Sequence, residues 1–161
     1  MKTLMRSGRV EATTTATPQQ VWAVVADVTR VGEWSHECQV GQWLDGATAA
    51  APGVRYRGSN RVGRVRWSRR NEIVAADENQ RLVWRTVPTR IYPDSTEWQI
   101  AIEPIADGSL IVQTFEVIAL SPVMDRLIYL ATPAHRNRLP ALREDIHRLG
   151  EVAAGRPQPM G

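Results

Sequence analysis

The sequence predicts an α+β fold in which a seven-stranded antiparallel sheet curves around a long C-terminal helix, with two short helices between the first two strands. Three observations support this prediction. Segments of alternating apolar and polar residues recur between turn residues, a helix-start signal follows the first such segment, and apolar residues spaced three and four apart occupy the last part of the chain. Short links between consecutive strands are typical of an antiparallel meander.

The N-terminal part of the chain contains one strand and the two short helices. Residues 9–16 alternate apolar and polar side chains with the period of two that a half-buried strand shows. Thr17 occupies an N-cap position, a proline follows it, and Gln20 stands three residues after the cap, so a capping box is predicted to open a helix over 18–26. Residues 27–32 are predicted to form the second short helix.

Six further strands follow, and turn residues separate them. Pairs such as Asp-Gly, Pro-Gly and Pro-Asp tolerate a positive φ or preset a turn. The clearest alternation places Trp98 and Ile100 on one face and Glu97 and Gln99 on the other, so one face is predicted to be buried and the other solvated. The predicted strands are residues 38–45, 54–61, 64–75, 81–87, 95–104 and 109–119.

A long terminal helix completes the prediction. Ser121 can cap its start, and the apolar spacing continues to Gly155. Pro133 and Pro140 lack the amide hydrogen that a helix needs, so we expect a kink or a break near 131–133. A sheet wrapped around this helix leaves room between the two, which is the arrangement of a ligand-holding fold.

Length, charge and cysteine content limit the functional classes. The chain has 161 residues, which predicts a single domain with a core over 9–154 and a frayed tail at 156–161. Lys and Arg number 20 against 17 Asp and Glu, a mild basic excess of +3. Cys38 is the only cysteine, which excludes an internal disulfide and leaves too few sulfurs for a structural zinc site. We expect no metal and no other cofactor.

The location of the protein in the cell is predicted from two features that the sequence lacks, a membrane span and a signal region. The longest apolar run, residues 21–26, is far shorter than a membrane span, and the amino terminus has no apolar signal region. We therefore expect a cytoplasmic protein that does not insert into membranes. The sequence leaves open whether it is a monomer or a homodimer.

Several stretches of the sequence resemble one family. They are VWAVVADV after Thr17-Pro18, GEWSHEC followed by QWLDG, GVRYRGSNRVGRVRW, STEW, VQTFEV, and the patches HRNR and HRLG. Over residues 9–154 the chain resembles the polyketide cyclase/dehydrase branch of the START-like (SRPBCC) superfamily. The resemblance implies a helix-grip fold with a deep, largely apolar cavity. Members include lipid and steroid carriers and aromatase/cyclases, so the fold alone fixes no reaction.

The candidate ligand-binding residues are mainly aromatic. Buried tryptophans usually stabilise a core, but Trp34 lies in the loop where the family's cavity entrance is expected. Arg69 and Asn71 fall on the inner face unless a bulge intervenes, and Tyr56 and Tyr129 can present hydroxyl groups from opposite walls. The complete set is Trp34, Tyr56, Trp67, Arg69, Asn71, Trp84, Trp98 and Tyr129.

The candidate catalytic residues are Tyr56, Arg69, His36 and Glu37. His36, Glu37 and Cys38 are consecutive, so their side chains point in different directions, which argues against a metal site. A polar group at the mouth of the pocket and a plain surface loop both remain open for His36 and Glu37. His135, flanked by arginines, is expected on a solvated face.

The strand arginines do not favour a nucleic-acid partner. Arg55, Arg57, Arg64 and Arg66 are predicted to form an exposed row on a hairpin, and acidic residues such as Glu72 on the adjoining strand would neutralise part of it.

Three functional hypotheses follow. The first is a binding protein for a hydrophobic small molecule, such as a lipid, a polyketide or an aromatic metabolite. The second is an aromatase/cyclase-like enzyme in which Arg69 and Tyr56 stabilise an enolate and His36 or Glu37 moves protons. The third is a protein-interaction module.

Overall fold

Seven antiparallel strands form a single sheet in the order β1-β7-β6-β5-β4-β3-β2, which confirms the predicted topology. A computed structural model describes residues 2–156, and the predicted tail beyond Arg156 lies outside the described residues. The strands are β1 (Ser7–Thr14), β2 (Cys38–Trp43), β3 (Arg55–Val62), β4 (Val65–Asp77), β5 (Arg81–Thr86), β6 (Ser95–Ile105) and β7 (Gly108–Ala119). The helices are α1 (Pro18–Val25), α2 (Pro122–Ala131) and α3 (Leu139–Ala153), with 3-10 helices at Val28–Glu33 and Pro133–His135.

The predicted capping box starts α1. The Thr17 hydroxyl accepts from the amide of Gln20 at 3.2 Å, and the Gln20 side chain accepts from the amide of Thr17 at 2.9 Å. The helix buries three valines against the sheet. The second short helix has 3-10 geometry and is capped at its start by Asp27, whose carboxylate accepts from the amide of Thr29.

The terminal segment differs from the predicted single helix. The expected break is confirmed, because α2 ends at Ala131 and Pro133 begins the short 3-10 turn. Pro140 causes no kink in α3, since it stands in the first turn, where no helical hydrogen bond to its nitrogen is required. The segment therefore forms two helices that are separated by residues 132–138.

The α3 helix packs closely on the sheet through its C-terminal half. Ile146 and Leu149 are fully buried, and the Thr14 hydroxyl of β1 donates to the carbonyl of Gly150 at 3.0 Å. A Cβ atom at Gly150 would lie 2.7 Å from the Cβ atom of Thr14, so only glycine fits there without displacement.

The α2 helix is attached to the N-terminal segment by a buried carboxylate. Asp125 accepts from the amide of Leu4 at 2.9 Å and from the guanidinium of Arg6 at 2.7 Å. None of the helices in residues 2–156 combines the length and the apolar character that a membrane crossing requires.

Strand β2 lies directly on the first 3-10 helix. A Cβ atom at Gly41 would overlap the carbonyl oxygen of Val28. The absence of a side chain at this position therefore sets how closely β2 approaches the helix that leads to Trp34.

The Gly41→Ala variant should be less stable than the wild type by about 2 kcal/mol, because overpacking against backbone atoms forces the strand away. Urea denaturation followed by circular dichroism measures the change. The neighbouring Val40 is 57% exposed, so Val40→Ala is the matched control and should change the stability by less than about 0.5 kcal/mol. Equal stability of the two variants would contradict this account of the close approach.

Candidate functional site

A cavity of about 430 Å³ lies between the inner face of the sheet and the helices α2 and α3. Its walls come from six strands, β2 to β7, from the 3-10 helix that precedes Trp34 and from the loop that follows it. Most of the wall is apolar, and six aromatic side chains contribute to it. They are Trp34, Tyr56, Trp67, Trp84, Tyr92 and Trp98.

All the ligand-binding candidates except Tyr129 line this cavity. The rings of Trp84 and Trp98 are stacked at 6.4 Å between centroids, and Trp98 also packs against Phe115 at 5.3 Å. Trp34 is only 5% exposed and belongs to the hydrophobic core as well as to the cavity wall. These tryptophans therefore pack in the hydrophobic core and line the cavity at the same time.

Tyr129 is placed differently from the prediction. The α2 residues that line the cavity are spaced three and four apart, and Tyr129 does not share their face. Its ring packs instead under the guanidinium of Arg136, at 4.4 Å from the centroid. The lining residues of α2 are Met124, Leu127, Ile128 and Ala131.

The register of β4 places Arg69 and Asn71 on the inner face. Arg69 pairs with Gly58, and the pairing with β3 is regular throughout. The only register shift in β4 lies between Ile73 and Ala75, in its pairing with β5. The bulge that the sequence left open therefore comes after both residues and does not turn them outward.

The charge of Arg69 is already paired. Its Nη1 atom donates to both carboxylate oxygens of Asp94, at 3.0 and 2.9 Å, and Nη2 donates to the Asp94 carbonyl at 3.0 Å. Charge-assisted hydrogen bonds of this kind are strong, although the Nε atom of Arg69 is buried and has no hydrogen-bond partner among residues 2–156. The ion pair between Arg69 and Asp94 therefore holds this part of the cavity wall together.

Tyr56 is buried, and burial raises the pKa of its hydroxyl well above the ordinary value. The hydroxyl therefore stays protonated at neutral pH. The ring contacts Trp43 edge-on at 6.2 Å.

Charged and imidazole side chains meet in one part of the cavity wall. We call His36, Glu37, His135, Arg138 and Asp145 the polar cluster. The loop before β2 supplies the first two, the second 3-10 helix supplies His135, and Asp145 belongs to α3. All five residues line the cavity.

Glu37 is the centre of the polar cluster. Its Oε2 atom lies 3.1 Å from Nε2 of His135, 3.7 Å from Nε2 of His36 and 3.7 Å from Nη1 of Arg138. Burial alone would raise the pKa of Glu37, but the hydrogen bond from His135 and the nearby positive charges hold it below the ordinary value. Glu37 is therefore ionised at neutral pH.

His36 is held by Asp145. The backbone amide of His36 donates to Oδ1 of Asp145 at 2.9 Å, and its Nδ1 lies 2.6 Å from Oδ2. This hydrogen bond raises the pKa of His36, although partial burial opposes the effect. Burial raises the pKa of Asp145, and the contact with His36 opposes that shift. Arg148 lies 3.7 Å from Asp145 and also donates to the carbonyl of Trp34.

The sequence reasoning missed three members of the polar cluster. His135 was expected on a solvated face, but it is buried and bonded to Glu37 because the chain turns inward after α2. Neither His135 nor Arg138 stands in a periodic segment that would have indicated its direction. Asp145 carried a readable signal, since it lies on the same helical face as Leu142 and Ile146.

Among residues 2–156, no group of three or more His, Cys, Asp or Glu side chains is arranged to hold a metal ion. Cys38 lines the cavity, and burial raises the pKa of its thiol to about 11. The thiol is therefore protonated at neutral pH and is a poor nucleophile or ligand.

The His36→Gln variant should flatten the dependence of stability on pH. The pKa of His36 is raised on folding, so its stabilisation is complete below the ordinary value of about 6.5 and is lost as the pH rises through the folded pKa. Urea denaturation between pH 6 and pH 9 should show a smaller decline for the variant than for the wild type. His147→Gln, at an exposed position of α3, should keep the wild-type decline. An unchanged decline in His36→Gln would contradict the assignment.

Comparison with known proteins agrees with this architecture. The family described as "Polyketide cyclase / dehydrase and lipid transport" matches residues 5–149. No curated protein matches the chain. Solved structures with low sequence identity share the fold.

Three of these structures illustrate the range. Protein TTHA0849 from Thermus thermophilus has 16% identity and a TM-score of 0.69, with 92% of this chain and 97% of that chain covered. Protein NE0264 from Nitrosomonas europaea has 12% identity and a TM-score of 0.64, with 93% and 95% covered. The Polyketide_cyc-like protein Cgl2372 from Corynebacterium glutamicum has 22% identity and a TM-score of 0.51, with 92% and 83% covered.

The family match covers most of the chain, and the resemblance predicted from the sequence is confirmed. The seven-stranded sheet, the terminal helix and the cavity between them are the features that the resemblance implied. This chain belongs to the polyketide cyclase/dehydrase and lipid transport family.

Proposed function

We propose that this protein binds a hydrophobic small molecule, such as a lipid, a polyketide or an aromatic metabolite, in the cavity between the sheet and α3. The observation that carries the proposal is the size and lining of that cavity. Its volume of about 430 Å³ falls within the range of roughly 300–1,000 Å³ that small-molecule sites occupy. Aromatic walls with a few polar groups are typical of such sites.

The residues proposed to contact the ligand body are those of the sheet and of the loop before β2. Stacked Trp84 and Trp98 form one surface, and Trp34 and Trp67 complete the aromatic lining. Flat rings bury a large apolar area with little loss of conformational entropy. A ligand with an aliphatic chain or fused rings would fit this surface.

The Asn71→Trp variant should lose binding of a neutral hydrophobic probe, because the added ring occupies cavity space at the inner face of β4. Calorimetric titration with decanol should show affinity at least about tenfold weaker than that of the wild type. The matched control is Gln99→Trp, which places the same ring on the opposite face of β6 and should bind decanol as the wild type does.

The proposal is wrong if neither the wild type nor the control binds decanol and if a panel of fatty acids, sterols and polyphenols also fails to raise the melting temperature. Equal binding by all three proteins would also contradict it, since the ligand would then lie elsewhere.

A second candidate function, proton transfer in a cyclase-like reaction, is favoured by Glu37. Its Oε2 atom lies closest to His135, His36 and Arg138, and Oε1 makes no hydrogen bond within residues 2–156. An ionised carboxylate with one free oxygen in an apolar cavity can act as a general base. It would take a proton from the carbon beside a ketone while the electron pair of that C–H bond passes towards the carbonyl oxygen.

The Glu37→Gln variant should separate this enzymatic function from simple binding. Wild-type protein in D₂O should accelerate exchange of the α-hydrogens of 2-decanone above the buffer rate, and the variant should lose about 100-fold or more of that acceleration. Nuclear magnetic resonance follows the exchange. Glu144→Gln, at an exposed position of α3, should retain it. An absence of acceleration by the wild type would argue against the enzyme and would leave the binding function intact.

A further inference from the structure

Arg138 is a guanidinium without a hydrogen-bond partner among the described residues of the cavity wall. It stands immediately before α3, its side chain is 23% exposed, and its guanidinium lies over the ring of Trp98 at 5.6 Å. Its side chain donates no hydrogen bond to any residue in 2–156. A guanidinium carries five N–H donors, and leaving them unused in a mostly buried place is unfavourable. Burial accordingly lowers the pKa of Arg138.

The nearest acids do not satisfy this guanidinium. Glu37 is 3.7 Å away, beyond hydrogen-bond distance, and its Oε2 atom accepts from His135. Asp94 also acts electrostatically on Arg138, but both of its carboxylate oxygens accept from Arg69. Each acid is thus engaged with a different partner, and the donors of Arg138 remain free.

The charges around Arg138 alternate along a row. Arg148 lies near Asp145, Asp145 binds His36, His36 lies near Glu37, and Glu37 lies near Arg138. The contact with Asp145 favours the protonated form of His36. Arg138 and Arg148 are the two ends of this row, and of these two only Arg138 lines the cavity, so its guanidinium faces the space that a ligand would occupy.

We propose that Arg138 binds the head group of the ligand and that this head group is an anionic carboxylate on a hydrophobic body. The proposal rests on the proposed binding function and adds the chemical class of the ligand. The guanidinium matches a carboxylate in geometry, since two parallel N–H groups can donate to its two oxygens. The aromatic walls accept the apolar body beside it.

The test compares ligands that share one chain and differ at the head group. Calorimetric titration uses decanoate, decanol and decylammonium with the wild type at neutral pH. Decanoate should bind about tenfold or more tightly than decanol, and decylammonium should bind most weakly. The neutral decanol reports on the cavity itself, so it measures the proposed function independently of the head group.

Substitution of Arg138 makes the comparison specific. Arg138→Met keeps an apolar stem over Trp98 and should weaken decanoate binding about tenfold or more, while decanol binding changes by less than about twofold. Arg138→Lys keeps the charge but loses the paired donors, so it should retain part of the preference. Arg143→Met, at an exposed position of α3, is the matched control and should bind all three ligands as the wild type does.

Each outcome has one meaning. If decanol binds and decanoate binds no more tightly, the head-group assignment is wrong and the binding function stands. If Arg138→Met binds decanol normally and keeps the full preference for decanoate, another residue holds the anion and the assignment to Arg138 fails. If no ligand of the three binds to the wild type, the head-group assignment fails, and the binding function fails with it when the panel of fatty acids, sterols and polyphenols also leaves the melting temperature unchanged.

Discussion

The docking of α3 on the sheet is the constraint on which the cavity depends. Ile146, Leu149 and Gly150 bring the C-terminal half of the helix into contact with β1, where the hydroxyl of Thr14 binds the helix backbone. The other end of the same helix follows Arg138, which lines open space. Near that end Leu139 also lies against β1 at Gly8, so the helix covers the β1 edge of the sheet, and the cavity lies between the helix and strands β2 to β7.

The break between α2 and α3 gives this volume its polar wall. Because Pro133 ends the helical hydrogen bonding, residues 132–138 follow their own path and bring His135 to Glu37. The same break lets α2 form a separate wall, which Asp125 fastens to the N-terminal segment. Pro133 therefore separates α2, which is attached to the N-terminal segment, from the segment that brings His135 to Glu37.

The sequence predicted the elements better than it predicted the contacts between them. All seven strands, the capping box and the break near Pro133 followed from periodicity and from local backbone chemistry. Arg69 could be placed on the inner face because strand alternation continues up to Ile73. Its pairing with Asp94 could not be predicted, because a loop of unknown path carries that acid. His135 was placed wrongly for the same reason, whereas Asp145 was readable from its position among apolar residues of α3.

The distribution of tryptophan has a practical consequence for measurement. Most of the six indoles in the chain stand in the cavity wall, and the emission of an indole shifts when water or a solute beside it is exchanged. The intrinsic fluorescence of this protein is therefore weighted towards the interior space and only weakly towards its outer surface. Occupancy of the cavity can be followed optically in the unmodified chain, without a dye that would compete for the same volume. The indoles concerned are Trp34, Trp67, Trp84 and Trp98.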